Sequence, residues 1–561
     1  MQQDVLNKLI TDKQRALGID PNIDVRRYPN LVALAEAAFA EHSDRKACSS
    51  LGHDLSFADL DRLSRQFAAW LQHRSGLKPG DRMAVQMPNL IQYMVVVLGA
   101  LRAGIVVVNT NPLYTERELE HQFNDADVRL LVVSSLVADT VARVLPKTPV
   151  EQVIVTDLAD LHPAPKRWLI NGAAKYIKKL VPAFSLPGAL RLRQVLSEGA
   201  GLNLNTVNLQ GSDLAMLQYT GGTTGVAKGA MLSHGNLVAN VLQSDAVFTS
   251  HGLKGAGDIV MQPLPVYHIY AFTASMYGVF KGAQTVFIPN PRDLSQVTAA
   301  FARYRPQLFC GLNTLFVALC NAPGFRNLDF SELKVTLSGG MALTEAAAEE
   351  WQAVTGCAVS EGYGLTETSP TATANPGGAQ QLGTIGLPIP ATEVRVIDAE
   401  GQPLDFNEPG ELCLRGPQVM QGYWQRPEAT AEVLSEDGWF ATGDVAVIQP
   451  DGYLRIVDRK KDMIVVSGFN VYPNELEDVL SKHPGVLECA AVGIPDTTSG
   501  EVVRMFVVRK DAALTEEHVR DYCRAHLTAY KVPREVVFKA ELPKTNVGKI
   551  LRRELRDSAP Q

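Results

Sequence analysis

The chain has 561 residues, of which 46% are hydrophobic and 20% charged, and its formal net charge at pH 7 is −7. This length exceeds one ordinary hydrophobic core and predicts about three or four domains. The composition is typical of a soluble globular protein, and the negative net charge argues against nucleic-acid binding. The seven cysteines are scattered without a Cys-x-x-Cys pair, so neither a disulfide framework nor a zinc site is indicated.

No stretch of the sequence predicts a secretory signal or a transmembrane helix. Residues 1–20 alternate charged and apolar positions, whereas a signal peptide needs an uninterrupted apolar core. The most apolar run, residues 94–108, carries Arg102 in its middle and is too short to span a bilayer. We therefore expect a cytoplasmic protein in a reducing compartment.

Helices and strands are predicted to alternate over residues 55–135. Apolar residues three or four positions apart predict a helix over residues 56–72, with Ser56 as its cap. Apolar runs at 83–87, 105–109 and 129–135 predict strands, and the helices between them end near Gly104 and cover residues 115–126. This alternation predicts a largely parallel sheet with helices on both faces.

The segment 163–196 differs in composition from the rest of the chain. It holds seven Lys or Arg residues and no Asp or Glu. Tyr176, Ile177, Leu180 and Val181 would lie on one side of a helix, with Trp168 and Leu169 a little upstream. A basic amphipathic segment with aromatic residues predicts contact with a membrane surface. An exposed basic segment that only connects two domains explains the same pattern equally well.

The pattern changes twice toward the C-terminus. Strand patterns dominate from about residue 391, and beyond residue 459 a helix, two strands and a second helix predict an α+β unit of about 100 residues. The predicted fold class is therefore α/β. It comprises a large N-terminal domain of α/β layers at 1–458, which includes a β-rich subdomain at about 391–458, and a small α+β C-terminal domain at 459–561.

A stretch rich in Gly and Thr, YTGGTTGVAKGA, occupies residues 219–230. It differs from a P-loop, because Lys228 is followed by Gly229 and not by Ser or Thr, and the second glycine of that motif is missing at the required spacing. Small residues, threonine hydroxyls and a nearby cation still suit an anion such as phosphate. Taken alone, the stretch fits a surface turn equally well.

Six further stretches follow this one in a specific order. They read PLPVYHIYA at 263–271, LSGGMAL at 337–343, EGYGLTE at 361–367, GWFATGDVA at 438–446, YLRIVDRKKDMI at 453–464 and PKTNVGKILRREL at 543–555. As an ordered set they resemble the acyl-adenylate-forming (AMP-binding) enzymes, from about residue 30 to the end. Residues 437–465 are most similar to the extended signature of bacterial long-chain fatty acyl-CoA synthetases.

The resemblance implies a two-step reaction on a fatty acid. ATP and coenzyme A would be co-substrates and Mg²⁺ the cofactor. The carboxylate attacks the α-phosphorus of ATP, pyrophosphate leaves, and the thiol of coenzyme A then takes the acyl group from the adenylate. Because the first step brings anions together, catalysis would rest mainly on positioning and electrostatic stabilisation.

The resemblance also implies a set of residues that bind the nucleotide or coenzyme A. These are Tyr219, Thr220, Gly221, Gly222, Thr223, Thr224, Gly225, Lys228, Glu361, Gly362, Tyr363, Asp444, Arg459, Lys461, Ser467 and Gly468. Residues 219–228 would hold the β- and γ-phosphates, and Gly362 and Tyr363 the adenine. Asp444 and Arg459 would bind the ribose.

Four residues are implied to act in the chemistry itself. Glu367 would hold Mg²⁺ together with Thr220, since Mg²⁺ prefers carboxylate, hydroxyl and phosphate oxygens. Thr366 would reach the α-phosphate. Lys549 would bridge the carboxylate and the α-phosphate as a movable charge, and His268 would lie near the acyl carbonyl and the approaching thiol.

Coenzyme A needs the space that Lys549 occupies, so the resemblance implies a mobile C-terminal domain with a hinge at Asp458. After rotation, residues 466–470, including Ser467 and Gly468, would line the pantetheine channel. Lys461 would contact pyrophosphate or nucleotide. The sequence departs from some relatives at Val465, where they carry a second lysine.

Several alternatives stay open at this level. No aspartate stands in PVYHIYAF, residues 265–272, to bind the ammonium of an amino acid, so a free carboxylic acid is favoured. The apolar segments at 267–272, 310–316 and 337–341 would line the acyl tunnel. A medium-chain or aryl acid-CoA ligase of the same fold, or a non-catalytic acyl-binding membrane-docking protein, are the other interpretations. Relatives are often homodimers, and the segment 163–196 would place the chain at the cytoplasmic face of the inner membrane.

Overall fold

The computed structural model describes residues 3–220, 227–467, 469–496, 498–545 and 549–557. The α-helices are α1 (Gln3–Ala16), α2 (Leu31–His42), α3 (Phe57–Arg74), α4 (Ile91–Arg102), α5 (Glu116–Asp125), α6 (Ala138–Val144), α7 (Lys166–Gly172), α8 (Leu192–Gly199), α9 (His234–Ser250), α10 (Ile269–Lys281), α11 (Leu294–Tyr304), α12 (Asn313–Cys320), α13 (Glu345–Thr355), α14 (Pro427–Ala431), α15 (Pro473–Ser481), α16 (Glu516–His526) and α17 (Arg552–Asp557). Short 3-10 turns cover Leu145–Lys147, Phe325–Asn327, Thr366–Thr368 and Ala529–Lys531, and a π-helical turn covers Ala173–Ile177.

The strands follow in chain order. They are β1 (Lys46–Ser50), β2 (His53–Ser56), β3 (Arg82–Gln86), β4 (Val106–Asn109), β5 (Val128–Ser134), β6 (Gln152–Thr156), β7 (Leu190–Arg191), β8 (Leu214–Thr220), β9 (Lys228–Ser233), β10 (Ile259–Gln262), β11 (Gln284–Phe287), β12 (Leu308–Gly311), β13 (Val335–Ser338), β14 (Val359–Gly364), β15 (Thr371–Ala374), β16 (Leu387–Pro388), β17 (Glu393–Ile397), β18 (Gly410–Arg415), β19 (Phe440–Ile448), β20 (Leu454–Arg459), β21 (Ile464–Val466), β22 (Phe469–Val471), β23 (Val486–Asp496), β24 (Gly500–Arg509) and β25 (Glu535–Lys539).

Two large sheets form the N-terminal part. One has the strand order β7-β6-β5-β3-β4-β8-β9 and is parallel except for the β8–β9 pair. The other has the order β16-β15-β14-β13-β12-β10-β11-β1-β2, with parallel pairing from β14 to β1 and antiparallel pairing at both edges. The prediction of largely parallel sheets covered by helices is confirmed.

Local sequence signals explain the first helices. α3 begins at Phe57, and Ser56 and Asp59 form the reciprocal cap that the sequence predicts for residue 56. α4 is buried along its whole length, which is why residues 94–108 are so apolar without crossing a membrane. Arg102 is tolerated there because its guanidinium donates to Asp61 Oδ1 at 2.6 Å.

The main hydrophobic core lies between the two large sheets. It combines residues of β1, β3 and β11 with residues of α2, α3, α4, α9 and α10, among them Phe67, Met94, Val238 and Phe272. Helices and strands from both sheets therefore share one core. Burial of this apolar surface is the main source of stability.

The last two sheets are smaller. β17-β18-β19-β20 is antiparallel and corresponds to the predicted β-rich stretch from about residue 391. The C-terminal sheet has the order β22-β21-β24-β23, with β25 beside β24, and α15 and α16 pack on it around Leu476, Val503 and Val519. The predicted fold class, with a large N-terminal domain and a smaller C-terminal one, is confirmed.

The segment 163–196 differs in part from its predicted single helical face. α7 and the π-helical turn end at Ile177, and Leu180 and Val181 lie beyond them because Lys179 adopts a positive φ of 52°. Large apolar side chains are nevertheless exposed: Trp168 by 65%, Leu169 by 69%, Tyr176 by 74% and Ile177 by 78%. None of the helices in the described ranges combines the length and hydropathy needed to cross a membrane.

Candidate active site

A cavity of about 2490 Å³ lies where the ends of the sheets meet the C-terminal domain. Most of the residues predicted from the sequence line it. They are Tyr219, Thr220, Lys228, His268, Glu361, Gly362, Tyr363, Thr366, Glu367, Asp444, Arg459, Lys461 and Lys549. Ser467 is exposed outside this cavity lining. The predictions for Gly221, Gly222, Thr223, Thr224, Gly225 and Gly468 fall outside the described residues.

The base of the predicted phosphate loop is an antiparallel hairpin. Thr220 at the end of β8 pairs with Lys228 at the start of β9, so a hydroxyl and an ammonium enter the cavity side by side. Tyr219 anchors the hairpin, because its hydroxyl donates to Asp125 Oδ2 at 2.6 Å. Burial raises the pKa of Tyr219, and the phenol stays a neutral donor.

Glu367 lies opposite this hairpin in the turn Thr366–Thr368. It is buried, with 8% of its surface exposed, and its Oε1 accepts a hydrogen bond of 2.8 Å from the Tyr423 hydroxyl. The backbone N–H of Met420 donates to its carbonyl oxygen, also at 2.8 Å. One carboxylate oxygen and the turn that carries it are thus held by the segment 420–423.

The carboxylate of Glu367 and the hydroxyl of Thr220 are the kind of oxygen donors that Mg²⁺ prefers. No group of three or more His, Cys, Asp or Glu side chains suited to a metal ion is found among the described residues. A site with one carboxylate and one hydroxyl leaves most of the coordination to water and phosphate oxygens. Such a set fits a Mg²⁺ ion that arrives with a nucleotide.

β14 forms a narrow wall of the cavity. A Cβ atom added at Gly362 would lie 3.4 Å from the carbonyl oxygen of Thr373, so the wall is closely packed behind the glycine backbone. Next to it, Glu361 accepts a hydrogen bond of 3.0 Å from the N–H of Gly383. Burial raises the pKa of Glu361 to about 8, and the negative charge of Asp478 contributes to this rise.

Asp444 joins three elements at the centre of the cavity. It is buried, its Oδ1 lies 3.1 Å from Arg459 Nε, and its Oδ2 accepts a hydrogen bond of 2.5 Å from the Tyr363 hydroxyl. Burial and the Asp444 charge together raise the pKa of Tyr363 well above its usual value. Tyr363 therefore remains protonated and holds both its own ring and the carboxylate in place.

Lys549 reaches into the cavity from the C-terminal domain. Its backbone is held by Thr545, whose Oγ1 accepts from the Lys549 N–H at 3.0 Å and whose N–H donates to the Lys549 carbonyl at 2.7 Å. Its Cε lies beside Gly340, at 3.6 Å from a Cβ added there, and the φ of +84° at Gly340 is a backbone conformation that favours glycine. Burial and the Arg459 charge lower the pKa of Lys549 to about 8, although Asp444 and Glu367 oppose the shift.

Two other ionisable residues line the cavity near these groups. His268 caps α10, where its Nδ1 accepts a long hydrogen bond of 3.4 Å from the Tyr270 N–H. Burial and the neighbouring charge of Lys549 lower the pKa of His268 to about 3, so the imidazole is neutral at pH 7. Partial desolvation and the charge of Arg459 lower the pKa of Lys461.

The cavity also has an apolar lining. The predicted segments contribute Tyr267, Tyr270, Asn313, Leu337 and Met341 to its lining. Residues outside those segments add an apolar wall from α9 and from the edge of the second sheet: Val247, Phe248, Ala374, Ile385 and Ile389. The lining thus combines apolar side chains that suit a hydrocarbon chain with charged groups that suit a nucleotide.

The two domains also meet outside the reactive groups. Lys482, directly after α15, forms an ion pair with Glu345 of α13, and Asp478 Oδ1 accepts from the N–H of Glu345 at 3.3 Å. At the junction, the buried Asp458 carboxylate accepts backbone hydrogen bonds from Arg459 at 2.7 Å and from Asn474 at 3.0 Å. Burial raises the pKa of Asp458 to about 6.

The sequence analysis did not identify the polar network behind the phosphate hairpin. Tyr423 contacts Glu367, and Arg426 forms an ion pair with Asp125, the acceptor of the Tyr219 hydrogen bond. The only sequence signal was a glycine followed by two aromatic residues in MQGYWQRPE, residues 420–428. Such a run is common in loops and does not by itself indicate a site.

Family models and curated relatives match most of this chain. A family model described as "AMP-binding enzyme" matches residues 34–424, and "AMP-binding enzyme C-terminal domain" matches residues 475–549. A "Long-chain-fatty-acid--CoA ligase" of Escherichia coli O157:H7 is 50% identical over 543 residues, which are 96% of each chain. One of the same name from Yersinia pestis is 49% identical over 547 residues, 97% of each chain.

Solved structures agree on the fold. The anthranilate CoA ligase AuaEII, in complex with anthranoyl-AMP, superposes with a TM-score of 0.85 over 96% of this chain and 99% of its own. At 24% identity that likeness supports the architecture alone. The family models cover both domains and the relatives match almost end to end, and on that evidence the chain belongs to the AMP-binding enzyme family.

Proposed function

We propose that the protein ligates long-chain fatty acids to coenzyme A through an acyl-adenylate, with release of AMP and pyrophosphate. The observation that carries the proposal is the entry of Lys549 from the C-terminal domain into a cavity that also holds Asp444 and Glu367 of the large domain. A cation on one domain and nucleotide-binding groups on the other are what an adenylation site needs. Relatives at about half identity carry the name of this activity.

ATP would lie across the end of the second sheet. Asp444 accepts hydrogen bonds from the ribose hydroxyls, a role suited to a buried carboxylate already oriented by Tyr363 and Arg459. Gly362 and Tyr363 would hold the adenine beside β14. Thr220 and Lys228 contact the β- and γ-phosphates from the hairpin, and Thr366 reaches the α-phosphate.

Glu367 and Thr220 would hold Mg²⁺ between them and the phosphates, as the donor set described above allows. When bound, the ion neutralises charge on the phosphate oxygens. Glu367 would supply the carboxylate ligand, and Tyr423 donates to its Oε1. The protein thus contributes few ligands, and the ion binds together with ATP.

In the first step a carboxylate oxygen of the fatty acid attacks the α-phosphorus, and the bond from that phosphorus to pyrophosphate breaks. Lys549 draws the carboxylate and the α-phosphate together and stabilises the charge that develops on the phosphoryl oxygens. With a pKa of about 8, its side chain is mostly protonated at pH 7. His268 stays neutral there and does not add a second charge.

The second step needs a different arrangement of the same residues. We place the boundary at Asp458, with the large domain at 1–458 and the small domain at 459–561. Strand β20 ends at the next residue, Arg459, and the buried Asp458 carboxylate accepts a hydrogen bond from Asn474 of the small domain. Rotation about this residue removes Lys549 and brings residues 466–470, with Ser467 and Gly468, to line the pantetheine channel. The thiol sulfur then attacks the acyl carbonyl, AMP leaves, and the thiol proton passes to solvent.

His268 and Lys461 change their surroundings in this rotation. Lys549 is one of the two causes that lower the pKa of His268, so the imidazole becomes a better proton acceptor when Lys549 leaves. Lys461 contacts pyrophosphate or nucleotide in the first step. Val465, which stands where some relatives have a second lysine, is 40% exposed and adds no charge.

The acid-length profile tests the proposal. AMP release is measured with fatty acids of graded length and with a benzoate-type acid, at saturating ATP, Mg²⁺ and coenzyme A. We expect the highest kcat/KM with long chains, because each buried methylene adds about 0.8 kcal/mol of transfer free energy. Activity confined to medium chains or to the aromatic acid would favour those ligases, and acid binding without AMP release would favour a non-catalytic acyl-binding protein.

We also propose that the segment 163–196 contacts an anionic lipid surface at the cytoplasmic face of the membrane. Trp168, Leu169, Tyr176 and Ile177 are the exposed apolar groups, and basic side chains surround them without any acidic residue in the segment. Apolar insertion and lipid charge would act together. Lys166 is engaged elsewhere, since its Nζ donates to the Gly52 carbonyl at 2.7 Å.

Co-sedimentation with anionic and with zwitterionic vesicles tests this contact. Reversal of charge at Lys175, Lys178 and Lys179 is expected to reduce binding to anionic vesicles, by about 1 kcal/mol for each lysine near the surface. The matched control reverses three exposed lysines in other segments: Lys8, Lys78 and Lys147. Equal binding of both triple variants would show that 163–196 is a basic surface excursion without a role in lipid binding.

Light scattering of the protein without vesicles tests the expected homodimer.

A further inference from the structure

We propose that Tyr423 is a positioning residue for the adenylation step: its hydroxyl orients the Glu367 carboxylate and its ring face holds the Lys228 ammonium. One side chain would thereby fix the orientation of the proposed metal ligand and the position of a proposed phosphate-binding cation. The inference rests on the proposed function. It assigns a role to a residue of the stretch 420–428 that lies between the motifs used so far.

The contacts of Tyr423 are directed at two different groups. Its hydroxyl donates to Glu367 Oε1 at 2.8 Å, and the Lys228 Nζ lies 5.2 Å from the centre of its ring. Within the described residues Glu367 Oε2 accepts no hydrogen bond. The carboxylate is therefore fixed through one oxygen and keeps the other for a ligand.

The choice of an aromatic partner for Lys228 has an electrostatic reason. A ring face attracts an ammonium through its quadrupole without carrying a net charge. An acidic partner at this position would neutralise the cation before phosphate arrives. Tyr423 thus holds Lys228 in place while the full positive charge remains available.

The backbone around Tyr423 is hydrogen-bonded to both elements that carry its side-chain partners, the turn with Glu367 and strand β9. On one side, Met420 N–H donates to the Glu367 carbonyl at 2.8 Å. On the other side, Trp424 N–H donates to the Gly229 carbonyl at 2.8 Å, and Met231 N–H donates to the Gly422 carbonyl at 2.9 Å. A segment hydrogen-bonded to both the β9 strand and the Glu367 turn keeps their separation constant.

Tyr423 is also held through its backbone. Its own N–H donates to Thr430 Oγ1 at 2.9 Å, which fixes the residue independently of its side chain. Loss of the hydroxyl alone should therefore leave the loop in place.

Two variants separate the two contacts. Tyr423→Phe removes the hydroxyl and keeps the ring, and Tyr423→Leu removes both. The control is Tyr453→Phe, whose hydroxyl donates to the Ala379 carbonyl at 2.6 Å outside the cavity lining. Pyrophosphate release is measured against Mg²⁺ concentration, and calorimetry measures binding of ATP with Mg²⁺ and with a chelator.

For Tyr423→Phe we expect the Mg²⁺ concentration for half-maximal rate to rise by about ten- to a hundredfold, as for loss of a group that orients a metal ligand. Binding of metal-free ATP should be unchanged in this variant and weakened in Tyr423→Leu, which also loses the ring beneath Lys228. In a Glu367→Gln background the additional effect of Tyr423→Phe should shrink to less than about twofold, because Tyr423 acts through Glu367.

An unchanged Mg²⁺ dependence in Tyr423→Phe, at a melting temperature equal to that of the wild type, would overturn the inference. The same Tyr423→Phe effect in the Glu367→Gln background would overturn it too, since Tyr423 would then act independently of Glu367. Failure of the proposed function gives a different result, namely no acid-dependent pyrophosphate release from the wild type. Calorimetry of Mg²⁺-ATP binding would still test the Tyr423–Glu367 contact in that case.

Discussion

Arg459 Nε lies 3.1 Å from Asp444 Oδ1, and the two residues face each other in the register of β19 and β20. Arg459 directly follows Asp458, where we place the hinge. The proposed ribose site and the proposed hinge are therefore neighbours on one strand. A change of hinge conformation would act on the nucleotide through this ion pair without any long-range pathway.

Asp444→Asn should weaken ATP binding because it removes the charge that orients the ribose site. Loss of hydrogen bonds to a charged group predicts a rise in Kd of about ten- to a hundredfold. Titration calorimetry with ATP checks the value. An unchanged Kd would contradict the ribose assignment, and Asp451→Asn, on the turn after β19, is the matched control.

Lys549→Ala should abolish acyl-adenylate formation and leave the second step largely intact. The lysine contributes its charge only while it occupies the cavity, so the first step should slow by at least about a hundredfold. Each step is measured separately, as pyrophosphate release and as acyl transfer from preformed adenylate to coenzyme A. Equal loss in both would contradict the proposed rotation.

The rate of the first step should fall as the pH rises through about 8. Lys549 has a pKa of about 8 in the closed arrangement, and deprotonation removes the charge that draws the two anions together. In Asp444→Asn the fall should occur at lower pH, since Asp444 raises the pKa of Lys549. Lys549→Arg should lose the alkaline limb, because an arginine stays charged. The pH profile of pyrophosphate release under single-turnover conditions provides the check.

Glu361 should make the protein less stable as the pH rises from about 5 to 8. Its pKa is about 8 in the folded protein and 4.5 without burial, so the folded state binds the additional proton. Stability from this group is complete below the lower value and is lost as the pH passes through the higher one, by up to about 1.4 kcal/mol per pH unit. Melting temperatures at pH 6 and pH 8 should converge in Glu361→Gln, but not in the exposed control Glu349→Gln.

The ion pair between Glu345 and Lys482 should favour the arrangement in which Lys549 occupies the cavity. Both side chains are more than 40% exposed, which limits the contribution to about 0.2–1 kcal/mol. Glu345→Lys should therefore slow pyrophosphate release by about two- to fivefold, with acyl transfer unchanged. The charge swap Glu345→Lys with Lys482→Glu should restore the rate; failure to restore it would exclude the pair as a cause.

Local features of the fold followed well from the sequence. The Ser56 cap, the alternation of strands and helices over 55–135 and the β-rich stretch from 391 all occur as predicted. The segment 163–196 was predicted less well, because its helical periodicity continues past Ile177 whereas the backbone turns at Lys179. Periodicity reports which residues could share a face, and backbone conformation decides whether they do.

The sequence by itself determined the family, the order of the motifs and the residue types required for adenylation, because these depend on short stretches with fixed spacing. Tertiary structure decided which of those residues meet. Lys549 lines the cavity only because the C-terminal domain packs against the large domain. The Tyr423 hydroxyl contacts Glu367 although 56 positions of the chain separate the two residues. Such contacts depend on how whole sheets and domains pack, and the same packing excludes water and shifts the pKa values of Lys549 and Glu361.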